Sequence, residues 1–150
     1  MLQVFLGATP VARVVEWGCS FAGSAAGTPG QVELIETDGS SGSTVTAYAA
    51  IDITAYNADA LLLTAAQKAA SGTTGIFQFS TSTSGYTSTG EGTDTTLRNL
   101  DGPQQIAPTT QYVKQFPLGR EPLLQSGKYL KICATFGTTI GMICYVILEV

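Results

Sequence analysis

The chain has 150 residues, the length of a single domain and enough to bury a sizeable core. Seven Lys and Arg against eleven Asp and Glu leave a net charge of −4, and only 12% of residues are charged, about half the usual share. The cations are spread singly (Arg13, Lys68, Arg98, Lys114, Arg120, Lys128, Lys131), which with the acidic balance argues against nucleic acid as a partner, and the absence of histidine removes Ser-His-Asp and Cys-His catalysis, imidazole metal sites and a histidine pH switch.

Low charge here does not mean disorder, because 44% of the residues are hydrophobic and the polar remainder is dominated by Thr, Ser and Gly. Such a surface suits a chain that covers part of itself with partners; a monomer with a Thr-rich β surface fits the composition equally well. The chain reads as intracellularly made and non-membrane, since MLQVFLGATP lacks a basic leader and the uncharged stretch 132–148 is broken by Gly137, Gly141 and threonines.

Most of the chain is strand material punctuated by turn residues. Residues 1–10 read as an N-terminal arm that reaches to a neighbour, because the apolar start is cut off by Gly7 and Pro10. Residues 11–21 (VARVVEWGCSF) form a long β run with Val11, Val15, Trp17, Cys19 and Phe21 on one face, interrupted by Arg13. A Gly/Ala/Ser/Pro loop follows, then a strand over 31–37 (QVELIET) and a turn in DGSSGS.

Residues 44–56 alternate as one long strand or two. ADALLLTAAQKAAS is the only helical stretch, with Asn57 or Asp59 placed to cap it and Ser71-Gly72 to end it. Residues 75–81 read as a strand, and 81–96 as a Thr/Ser/Gly-rich loop or arm. Residues 97–108 carry turn residues, and 109–118 a strand ended by Pro117. The strongest β signal closes the chain, in 129–136 (YLKICATF) and 140–150 (IGMICYVILEV), and so apolar a final strand is expected at the centre of a sheet. The sum is an all-β, single-domain sandwich or jelly roll over 1–150, of about seven or eight strands with at most one short helix.

Few residues stand out for chemistry. Asp52, Asp94, Asp101, Glu33 and Glu36 show no spacing that implies a shared acid pair, and DGSSGS has one acid where a calcium loop needs several. GSAAGTPG has no Lys-Ser/Thr after it, so it is no phosphate cradle. Cys19, Cys133 and Cys144 form no CxxC and sit in apolar runs as small hydrophobes; a Cys133–Cys144 bridge is geometrically possible but not required. Trp17 reads as core. No catalytic, cofactor-binding or metal-binding residue is assigned, and the chain reads as a non-enzyme.

FPLGREP is different. Pro117 and Pro122 stiffen it, and Arg120 beside Glu121 offers bidentate pairing across an interface, although a rigid loop launching the next strand explains the same residues. Its setting is also familiar. Arg13, Val15 and Cys19-Ser20-Phe21-Ala22-Gly23 are followed by Val32-Glu33-Leu34, then FPLGREP, then GKYLKI and the closing Cys144-Tyr145-Val146-Ile147-Leu148-Glu149. This order resembles the jelly-roll decoration, or cement, proteins on the heads of tailed bacteriophages. The resemblance covers about half of the chain and leaves residues 58–100 unmatched.

The resemblance implies a non-enzymatic protein on the outer surface of a virion, made in the host cytoplasm. Its implied partners are itself, as a homotrimer, and the major capsid protein, with no nucleic acid and no membrane. The candidate interface residues are Leu2, Val4, Phe5, Arg13, Phe116, Leu118, Arg120 and Glu121. A phage fibre or spike module, or another receptor- or glycan-binding sandwich, is the alternative; it would present exposed loop aromatics, for which Tyr86 and Tyr112 are the candidates.

Overall fold

The computed structural model describes residues 2–6, 12–22, 27–38, 46–47, 77–81, 95–138 and 140–149. They form an all-β sandwich of ten strands in two antiparallel sheets: β1 (Leu2–Leu6), β2 (Ala12–Ala22), β3 (Gly30–Thr37), β4 (Thr46–Ala47), β5 (Phe77–Thr81), β6 (Thr96–Ile106), β7 (Gln111–Gln115), β8 (Leu123–Leu124), β9 (Tyr129–Thr135) and β10 (Gly141–Glu149). One sheet runs β4-β5-β1-β9-β3-β6, the other β10-β2-β7 with β8 also on β2. The proposed helix, most of the strand over 44–56 and nearly all of the 81–96 segment lie outside the described residues.

Alternation explains how the sheets meet. Val32, Leu34, Leu130 and Ile132 from the larger sheet pack on Ala12, Val14, Trp17, Cys19, Phe21 and Leu124 from the smaller. Each large side chain so buried contributes about 1.5–3 kcal/mol relative to exposure. Phe21 and Phe136 close one end, ring centroids 4.7 Å apart and tilted by 59°. β3 and β9 are also covered on their other face, where Ile35, Thr37, Lys131 and Cys133 are buried.

Three expectations need correction. The N-terminal segment is not an outreaching arm over 2–6: LQVFL pairs with β9 on one side and β5 on the other, so its backbone groups are satisfied within its own sheet. The final strand lies at a sheet edge among the described residues, because β2 holds the centre and pairs with β10, β7 and β8. Residues read as turn material form the eleven-residue β6. Gly102-Pro103 is accommodated where Val32 pairs with Gln104 and Leu34 with Asp101, a bulge on a strand whose described partner is β3 alone.

A second bulge explains Arg13. Along β10, Ile147 and Leu148 are consecutive, but they face Glu16 and Val14, so Val15 is the extra residue. Inserting one residue reverses the inward and outward parity. Trp17, Cys19 and Phe21 point inward beyond the bulge, Ala12 and Val14 before it, and Arg13 is thereby exposed.

Candidate functional site

The bulge also anchors the FPLGREP loop. Phe116 N–H donates to Val15 O at 3.0 Å, and Val14 N–H donates to Pro122 O at 3.0 Å. Both ends of the loop are therefore fastened to adjacent residues of one strand. Between them Arg120 N–H donates to Pro117 O at 2.9 Å, closing a turn with Gly119 at φ +78°. Gly119 has open space around it, so glycine is required there for its backbone and not for clearance.

The side chains divide along the loop. Phe116 packs on the core with Lys114 Nζ 6.0 Å from its ring centre. Leu118, at the tip, is 97% exposed, and Arg120 beside it is exposed too. Arg13 Nη1 lies 4.0 Å from Glu121 Oε2, a distance that gives an ion pair worth about 0–1 kcal/mol for a largely exposed cation.

Behind the loop, Arg98 on β6 ties the sheets together. Its Nη2 donates to the Glu36 carboxylate and to Leu123 O of β8. Glu36 is wholly buried, and its Oε1 and Arg98 Nε have no hydrogen-bond partner.

A second feature is the outer face of the smaller sheet. Ile143 is 77% exposed, Val113 46% and Tyr145 39%. The Tyr145 ring lies over Gly18, where a Cβ would come within 2.7 Å of it, and its hydroxyl donates to Glu16 Oε1 at 2.6 Å. With Cys19, Ser20 and Gln111 these residues line a shallow depression of about 100 Å³. The small residues of β2 under the large ones of β7 and β10 make an apolar surface with a polar border.

Inside the sandwich, Asp101 Oδ2 accepts from Trp17 Nε1 at 3.0 Å and from Tyr112 Oη at 2.7 Å, and the two rings lie 5.1 Å apart. Burial, and then the hydrogen bond to Asp101, push the Tyr112 hydroxyl well above the ordinary tyrosine range. Asp101, read as a loop acid, is thus a bridge between sheets, and Tyr112, read as an exposed aromatic for glycans, is a member of that bridge; Tyr86 lies outside the described residues. Among the described residues no three of Cys, Asp and Glu are grouped to hold a metal ion, and no helix is long and apolar enough to cross a membrane.

Of the candidate interface residues, the fold brings Arg13, Phe116, Leu118, Arg120 and Glu121 together at one end of β2. Leu2, Val4 and Phe5 are placed on β1 in the other sheet. Sequence reasoning missed Val113, Ile143 and Tyr145. The signal was present in MICYVIL, which is apolar at both odd and even positions and so supplies two faces, one for the core and one for the surface. No protein family, curated protein or solved structure matches the chain.

Proposed function

We propose that the protein is a non-enzymatic structural component of a tailed-phage virion, a decoration protein that assembles as a homotrimer and clamps neighbouring major capsid subunits from outside. The observation that carries this reading is the loop over 116–122, fastened at both ends to β2 while it holds Leu118 97% exposed beside Arg120. A leucine so placed adds nothing to the chain's own core. Buried against a partner, it contributes about 1.5–3 kcal/mol per copy, and a rigid loop loses little entropy in doing so. Arg120 supplies the planar, bidentate pairing that sets orientation. The same segment lies at the centre of the resemblance to cement proteins.

The clamp works by mass action. A protein that binds only the assembled shell lowers its free energy and shifts the equilibrium away from disassembly. The test is light scattering of the purified protein, then co-sedimentation with immature and expanded heads of the source phage. The reading expects a trimer that sediments with expanded heads only, and a Leu118→Asp/Arg120→Glu variant that melts normally but stays in the supernatant. A monomer that ignores heads, or a loop variant that binds as well as the parent, overturns it.

A further inference from the structure

Cys19 of β2 and Cys144 of β10 are direct partners in the strand register, and both belong to the packed interior between the sheets. Their backbone setting can be deduced. Val15 O points to the β7 side, where it accepts from Phe116 N–H. The register from Glu16 to Ser20 against β7 is unbroken, so the two-residue alternation turns the backbone groups of Trp17 and Cys19 to the β7 side as well. On the β10 side Cys19–Cys144 is then a non-hydrogen-bonded pair. In such pairs the Cα atoms lie about 4.5 Å apart and the side chains approach most closely. That separation falls within the roughly 4.4–6.8 Å span of disulfides. The bridge open to sequence reasoning, Cys133–Cys144, is not served by this fold: Cys133 sits on β9 opposite Glu33, on the face of the larger sheet turned away from the smaller.

We infer that Cys19 and Cys144, both free thiols in this structure, are a site of oxidative modification that closes a cross-strand disulfide and locks β10 onto β2. The reaction with a low-molecular-weight disulfide such as oxidised glutathione balances without further reagents. One protein thiolate attacks a sulfur of the small disulfide and expels one small thiolate. The second protein thiolate attacks the mixed disulfide and expels the other. The two protons lost by the protein thiols end on the two small thiols released. Burial raises the pKa of both protein thiols, so exchange is slow at neutral pH and faster in mild alkali. The consequence falls on the exposed face, because Cys144 lies between Ile143 and Tyr145 on a strand that is an edge among the described residues. This goes beyond the capsid reading and does not depend on it.

The experiment treats the whole native chain, and a Cys133→Ala variant, with oxidised glutathione in mildly alkaline buffer, followed by denaturation, alkylation and peptide mass analysis. In the parent the expected thiol count falls from three to one within a monomer, with a peptide linking Cys19 to Cys144, and the oxidised form melts at a higher temperature than the reduced form. Cys133→Ala is expected to form the same link. Full alkylation of Cys19 and Cys144 after prolonged treatment, a stable glutathione adduct on either one, or a link that includes Cys133 overturns the inference.

Discussion

Trp17 and Asp101 are 84 positions apart in the chain and stand on different sheets, yet the indole N–H of one donates to the carboxylate of the other at 3.0 Å. Tyr112 donates to the same oxygen, so one acid satisfies two aromatic donors, the fully buried Trp17 and the half-buried Tyr112. Asp101→Ala leaves both donors without their acceptor and is expected to destabilise the fold by about 1.5–3 kcal/mol in urea titration, the range for a hydrogen bond to a charged group. Asp101→Asn keeps an acceptor oxygen and is expected to lose less. Equal losses for the two variants would contradict this, because Asn fills the same space and keeps an acceptor oxygen.

Glu36 and Arg98 make a sharper case. The carboxylate is wholly buried and Arg98 is its ion-pair partner. Arg98→Met removes the compensating charge and is expected to cost about 3–5 kcal/mol, whereas the double variant with Glu36→Gln recovers part of that loss. A double-mutant cycle from denaturant midpoints reads the coupling, and independent, additive losses would contradict it.

Gly18 is set by clearance. Any Cβ there meets the Tyr145 ring at 2.7 Å, so Gly18→Val must lift the ring and break its bond to Glu16. The expected cost is about 1–3 kcal/mol, with a rise in tyrosine accessibility to quenchers. Tyr145→Ala in the same background is expected to relieve most of it.

The pH response should be alkaline. Cys19 is pushed up from 9.0 to about 11 by burial, with Cys144 adding to it, and Tyr112 is raised from 10.0 by burial and its bond to Asp101. Each group binds its proton more tightly when folded, so its contribution is whole below the unfolded value and fades as the pH rises past it. Thermal stability is therefore expected to fall from about pH 9 upward, and the fall to be shallower in Tyr112→Phe and in Cys19→Ala. A flat profile between pH 9 and 11 would contradict this assignment.

Much of the sandwich was legible in the sequence. QVELIET, YLKICATF and IGMICYVILEV announce β3, β9 and β10 within a residue or so, because a half-buried strand needs period-two alternation and the chain supplies it. FPLGREP likewise identified itself as a stiff connection through its prolines, and the fold fastens its two ends to Val14 and Val15, with Glu121 4.0 Å from Arg13. β6 was hidden because Asp101-Gly102-Pro103 carries turn chemistry that only a bulge opposite β3 can absorb.

The sequence by itself determined the all-β class, most strand positions and the stiff loop, since these follow from local periodicity and backbone restriction. Tertiary structure alone decided where Arg13 points, that Leu2–Leu6 is a sheet strand, that β10 is an edge among the described residues, that Asp101 bridges the sheets and that Cys19 faces Cys144. Those outcomes depend on which strands become neighbours and on single-residue bulges that reverse a face. Pairing and register are set by contacts distant in the chain, which no local pattern encodes.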